Sequence, residues 1–241
     1  GNDLNFTSAN VAGAIDFLAG NSTTGTGNLV ADGTVDLLAD AASVDVVDIQ
    51  AGDDVTVTAG TTVAINDVSA AGANLDILAG DDVTVRDALN LQSIGISSGG
   101  SVTYRDFGAT GSIDIAADGS VIGTSATADD SIDIASANGG AVTADSIAAG
   151  QQVTIATGGT VTATSITADQ AGLGIIDITG ETGIIVNNMI GNTATLLSQD
   201  GAIEIDTNVD MTGLVDAEGL SILMRSDTDL QIDAVATAGS I

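Results

Sequence analysis

The chain has no cysteine, histidine, lysine, proline or tryptophan in its 241 residues. Each absence closes a route. Without cysteine there is no disulfide framework and no thiol chemistry, and cysteine usage says nothing about redox compartment. Without cysteine or histidine the usual zinc sites are excluded as well. Lys plus Arg total 3 against 33 Asp plus Glu, a net charge of −30, and the three cations are Arg86, Arg105 and Arg225. Nucleic acid and anionic lipid are both held through cationic contacts, so neither is expected as a partner. The charge instead suits water, salt, divalent cations or basic partners. No apolar run is long enough to span a bilayer, so no membrane insertion is expected, and no signal-peptide pattern stands at the start.

Aromatic residues make up 2% of a chain that is 44% hydrophobic, so the apolar content is Val, Ile, Leu and Ala. That suits many thin layers better than one thick core. The apolar residues also recur at fixed spacing, which argues against disorder. Ser112 to Val121 shows the figure: an apolar–polar–apolar triplet, a small-residue turn, then another apolar residue. The triplet returns as Ile15/Phe17, Val35/Leu37, Val55/Val57, Leu75/Ile77, Ile94/Ile96, Ile113/Ile115, Ile132/Ile134, Val153/Ile155 and Ile176/Ile178. Leu197, with Thr195 as a weaker partner, and Leu220/Ile222 continue the series. Subtracting successive second members gives steps of 20, 20, 20, 19, 19, 19, 21, 23, 19 and 25. A period near 20 identifies a repeat protein.

Two further apolar sites follow each triplet. One is read at Val63/Ile65, Val83/Val85, Val102/Tyr104, Val121, Val142, Val161, Ile184/Val186, Ile203/Ile205 and Leu230/Ile232. The other is read at Leu29, Ile49, Val68, Leu89, Phe107, Ile147, Ile166, Ile190 and Val209. Within each site apolar and polar residues alternate, which is strand periodicity. Gly, Ala, Asp, Ser and Thr between them favour turns.

The expected fold is therefore all-β: a single-stranded parallel β-helix, or β-solenoid. Three short strands per coil of 19–21 residues, over roughly eleven coils, account for the spacing. Coils stack ~4.8 Å apart, a rise of roughly 50 Å over the set. The narrow interior takes Val and Ile, and proline would remove a donor from strands paired on both sides. Residues 1–241 are expected to be one continuous segment of a longer rod, with a loop insertion at 206–219.

Leu75-Asp-Ile-Leu-Ala-Gly-Asp-Asp-Val-Thr-Val85, Ser112 to Val121 and Val153-Thr-Ile-Ala-Thr-Gly-Gly-Thr-Val161 resemble the haemagglutinin repeats of filamentous haemagglutinin-type exoproteins. The resemblance covers roughly Ala14 to Ile205. It implies coils of right-handed parallel β-helix in a bacterial surface or secreted adhesin exported by two-partner secretion. The near absence of cations and of the amino-terminal secretion domain departs from that family.

Carboxylates supply the candidate chemistry. The middle residues of the triplets face outward in one column, which sets Asp16 beside Asp36 and Asp114 beside Asp133. Two exposed charges ~4.8 Å apart repel by about 1 kcal/mol in water, and a bound calcium would relieve that. The turn acids Asp53, Asp54, Asp81 and Asp82 are the other weak calcium candidates, although no nonapeptide or helix–loop–helix calcium motif is present. The plainer reading is a solvated acidic face that discourages strand aggregation. Glycoside hydrolysis needs two carboxyls across a sugar-shaped groove. Here the carboxylates are spread out, with no His or Lys base and few aromatic platforms, so no catalysis and no required cofactor are expected. Threonine runs such as Val55-Thr-Val-Thr58 are too interrupted for an ice-binding face.

Arg86 and Arg105 occupy one column in consecutive coils, and Asp67, Asp87 and Asp106 occupy the next. A small charge ladder is expected on the corner between the second and third sites. The expected role is a structural or adhesive shaft of a large extracellular or cell-surface bacterial protein. Its expected partners are neighbouring copies, further coils of the same rod, or a surface receptor or glycan. A calcium-responsive surface-layer or matrix module is the alternative, and a polysaccharide-active β-helix enzyme the third reading.

Overall fold

A computed structural model describes residues 2–169, 173–226 and 231–237. Among them there is no helix; every regular element is a strand, and all strand pairing is parallel, so the fold is a β-solenoid. The chain divides into two compact units, residues 1–118 and 119–241.

In the first unit, short strands of five or six residues stack in one sheet: Ile15–Ala19, Val35–Ala39, Val55–Ala59, Asn74–Ala79, Ser93–Ser98 and Ile113–Ala117. A second sheet is formed by Val44–Ala51, Val63–Ala70, Val83–Leu91 and Val102–Ala109. From the third coil on, each coil contributes one strand to each sheet. The second unit repeats the plan. Its short strands are Ser131–Ser136, Gln152–Thr157, Ile175–Gly180, Thr193–Leu197, Leu214–Gly219 and Gln231–Ala236. Its long strands run from Val121–Ala128 to Ala202–Met211, followed by Ser221–Met224. Twelve short strands in all, six per unit, mark about twelve coils.

Similar apolar side chains stack in register because a parallel ladder aligns equivalent residues of successive coils. Val35, Val55 and Leu75 form one buried column; Leu37, Val57 and Ile77 form the next. Each buried Val, Ile or Leu contributes ~1.5–3 kcal/mol. The β-branched shape suits a pleated surface packed on both sides.

The structure joins the second and third apolar sites where the sequence suggests separate strands. Val63–Ala70, for example, runs through both. It bends where two successive residues, Asn66 and Asp67, turn away from the core. The ladder skips one residue there in each coil: Val46 pairs with Ile65 and Asp48 with Asp67, without a partnered pair between. Only the first two coils keep separate strands, at Leu4–Phe6 and Ala9–Val11, then Thr23–Gly25 and Leu29–Ala31.

Four assignments of inward residues are corrected. Ala88, not Leu89, pairs with Val68 and Phe107; Leu89 is 42% exposed beside a bulge in which Asn90 takes φ 64°. Met189, not Ile190, pairs with Ile166 and Val209. Ala194 and Leu196 face inward, not Thr195 and Leu197. Val215 and Ala217 form the next triplet, while Ile222 pairs with Ile203 in the other sheet. The expected loop at 206–219 is accordingly strand: the end of Ala202–Met211, a short turn, and Leu214–Gly219. Small inward alanines fill the core beside bulkier columns, and a hydropathy reading passes over them. Ile232 belongs to the last short strand, and Leu230 lies outside the described residues.

A set of buried hydroxyls closes the turn after the short strand. Ser98 Oγ donates to the Asp81 carbonyl at 2.7 Å and accepts from Gly100 N–H at 3.1 Å. Ser136 Oγ donates to the Gly119 carbonyl at 2.6 Å. Thr157 Oγ1 donates to the Gly140 carbonyl and accepts from Gly159 N–H at 3.0 Å. Each ties a turn to the coil before it.

Candidate functional site

The bend of the long strands positions the charged corner. Two outward residues per coil stand there in adjacent columns, and Asp48, Asp67, Asp87 and Asp106 are successive members of one of them. Arg86 and Arg105 stand in the neighbouring column. The structure brings all five expected ladder residues together. Arg86 Nη2 donates to both Asp67 carboxylate oxygens at 3.0 and 2.9 Å, and its Nε lies 3.4 Å from Asp87 Oδ2. Arg105 Nη2 donates to that same Asp87 oxygen, and its Nε to Asp106 at 3.1 Å. Each guanidinium thus joins its own coil to the one before.

Asp87 is the hub. It is buried, whereas the side chains of Arg86 and Arg105 are about half exposed. Its Oδ2 accepts from both guanidinia, and its Oδ1 is buried without a hydrogen-bond partner among the described residues. Burial pushes the Asp67 carboxyl upward, but the Arg86 hydrogen bonds and the Arg86 charge hold it below the usual range. Burial and the Asp67 charge push Asp48 above that range, with Arg86 only partly opposing. Hydrogen bonding and charge from Asp67 raise Arg86 further.

Arg225, which the sequence left without a role, makes a related ion pair in the second unit, with the aspartate that stands one coil before it in its own column. Its Nη1 donates to the Asp206 carbonyl at 2.9 Å and to the Asp206 carboxylate. The signal was present: Asp206 precedes Arg225 by 19 residues, which is one coil step there.

The calcium candidates are more scattered. Asp16 and Asp36 are direct ladder neighbours. Asp114 and Asp133 stand at the equivalent place on Ile113–Ala117 in the first unit and Ser131–Ser136 in the second. Asp53 Oδ1 accepts from Asp54 N–H at 3.1 Å, and Asp54 Oδ1 from Asn74 N–H at 2.9 Å. Asp82 Oδ1 accepts from Ser101 N–H at 2.7 Å, while Asp81 offers its carbonyl to Ser98. Asp54 and Asp82 therefore hold the next coil's backbone. Among the described residues no group of three or more acidic side chains is arranged to hold a metal ion.

The sequence reading missed the outer relief of the short-strand sheet in the first unit. Leu18, Leu38, Thr58, Leu78, Ser97 and Ala116 form one outward column, two residues from the aspartate column. Leu18 is 70% and Leu78 54% exposed. Comparison with protein-family models, curated proteins and solved structures found no match.

Proposed function

We propose that the chain is a structural and adhesive shaft segment of a large extracellular or cell-surface bacterial protein, acting by spacing and presentation and without catalysis. The observation that carries this reading is the coil itself. Successive coils of nearly equal length spend their inward residues on stacking, and acidic, small and some large apolar residues are left outside. Such stability is close to a sum of coil and coil–coil terms, which lets length vary freely and suits a spacer. The haemagglutinin-type resemblance of Leu75 to Val85 supports the same setting. So does the charge of −30, which keeps a surface protein soluble and resists edge-to-edge aggregation.

The test sets the three readings apart. Incubation with neutral and acidic polysaccharides should release no reducing ends, and calcium calorimetry should show only weak heat that salt screens away. Sugar release would transfer the argument to an enzyme. Saturable calcium binding of defined stoichiometry, surviving physiological salt, would transfer it to a calcium-responsive module.

A further inference from the structure

The turn between the strands Ser131–Ser136 and Val142–Ala149 of the second unit carries chemistry that the shaft reading does not use. Asn138-Gly139 is the single Asn-Gly pair in the chain. Asn138 takes φ 50° and Gly139 φ 75°, and Gly140 N–H donates to the Ala137 carbonyl at 2.9 Å. Two successive positive φ angles inside one such hydrogen bond make a type I′ turn, for which Asn-Gly is a favoured pair.

The turn stands open to solvent. Ala137, Asn138 and Gly139 are all exposed, and a Cβ on Gly139 would meet nothing within 4 Å. Among the described residues neither the Asn138 side-chain amide nor the Gly139 N–H has a hydrogen-bond partner. The next coil leaves the Gly139 nitrogen uncovered as well. Gly158 lies beside it, and a Cβ at that position would sit 2.8 Å from the nitrogen. Glycine also bends out of turn geometry at little cost, so the nitrogen can swing toward the preceding side chain.

We infer that Asn138 is a site of uncatalysed deamidation through a cyclic imide formed with the Gly139 nitrogen. Base in the solvent takes the proton from Gly139 N–H, and the nitrogen's electron pair forms a bond to Asn138 Cγ. The Cγ–Nδ2 bond breaks, and Nδ2 takes up a proton and leaves as ammonia. Water then opens the imide at one of its two carbonyls. Breaking the new N–Cγ bond leaves aspartate at position 138 with the main chain unchanged. Breaking the original peptide bond leaves isoaspartate, with the main chain running through Cγ and one methylene longer. Either product adds one negative charge, a covalent change that alters the physical argument locally. The isoaspartate also disturbs stacking, because the Gly140 carbonyl accepts from Thr157 Oγ1 of the next coil.

Other asparagines lack one or more of these features. Asn90 shares the positive φ, at 64°, and is exposed, but Leu91 follows it, buried and paired with Ala109 in the ladder. Asn10 is exposed but lies within the strand Ala9–Val11, and a β-branched valine follows it. A positive φ or exposure alone therefore does not mark the site. The inference makes no use of the proposed shaft function, so each stands or falls without the other.

The folded protein is incubated in mildly alkaline buffer at physiological temperature, then digested with an endoprotease that cuts before aspartate. Cleavage at Asp133 and Asp145 releases residues 133–144 as one peptide. Conversion raises its mass by one unit; the aspartate product gains a new cut before position 138, and the isoaspartate product does not. Asn138 should convert at least tenfold faster than Asn90 or Asn10, at a rate that rises with pH, and both products should form. In Asn138→Asp the early release of ammonia should disappear. The comparison within the wild-type chain needs no variant, so it decides even where the substitution disturbs folding. Equal rates at the three asparagines, earlier conversion elsewhere, or an unchanged 133–144 peptide in folded protein after urea-unfolded protein has converted would overturn the site.

Discussion

Tyr104 is the single tyrosine of the chain, and its ring stacks on Phe107 with centroids 4.4 Å apart and planes at 15°. The residue is 4% exposed, and its hydroxyl has no hydrogen-bond partner among the described residues. A buried hydroxyl left unpaired costs ~1–3 kcal/mol. Tyr104→Phe removes that one oxygen and keeps the ring stack. The void left by a single oxygen offsets part of the gain, so a net stabilisation of about 1 kcal/mol is expected. At this chain length that corresponds to a rise in Tm of roughly 2–4 °C. Thermal and denaturant melts at neutral pH measure it. Alkaline titration gives a second reading free of other chromophores, because no other side chain yields tyrosinate absorbance. Burial raises the pKa of Tyr104 above its ordinary value. Because the folded pKa exceeds the unfolded one, the associated stability is complete below about pH 10 and is lost as pH rises beyond it. Tyrosinate absorbance should therefore appear together with loss of the β-sheet signal. Destabilisation by Tyr104→Phe of 1 kcal/mol or more, or tyrosinate formation in folded protein near pH 10, would refute this account of the core.

Three further outcomes concern the charged corner and the net charge. Arg86→Gln and Arg105→Gln remove half-exposed, solvent-screened pairs and should each lower Tm only slightly. Asp87→Asn should cost more than either, with clear coupling in a double-mutant cycle, because both guanidinia share that carboxylate. As pH falls, Asp48, raised in the fold, takes up its proton first and adds stability. Below the ordinary carboxylate pKa, stability held by the lowered Asp67 is then lost. Melts across pH should show the first effect vanish in Asp48→Asn and the second in Asp67→Asn. With 33 acids against three cations, Tm should also rise between dilute buffer and physiological salt.

Much of the coil was readable because stacking makes each column a repeated statement. Val55/Val57 and Leu75/Ile77 fix an inward face that one copy alone would leave ambiguous. The corner was readable for the same reason: two arginines at one place in consecutive coils are tolerable only with aspartates alongside. Reading failed where volume replaces hydropathy. Ala88, Ala194 and Ala217 are buried but look like spacers, and brighter neighbours drew the assignment to Leu89, Leu197 and Leu220. The bulge at Asn90 inserts a residue without changing composition. Ser98, Ser136 and Thr157 replace alanine at a fixed place after the triplet, a signal visible only once the coils are aligned. The outward leucines of the first unit were missed because leucine beside aspartate reads as ordinary strand alternation until the ladder stacks the rows.

The most direct test of the account removes one coil. Ala39 and Ala59 are register partners, so deleting residues 40–59 joins Ala39 to Gly60 and brings Val35–Ala39 beneath Asn74–Ala79 with both apolar columns intact. A deletion of residues 40–49 removes half as much chain and leaves the columns out of phase. Circular dichroism with thermal melting should find the twenty-residue deletion folded, cooperative and within a few degrees of wild type. The ten-residue deletion should be unfolded or severely destabilised. Equal tolerance of both deletions, or collapse of the full-coil deletion, would contradict a solenoid assembled from interchangeable coils.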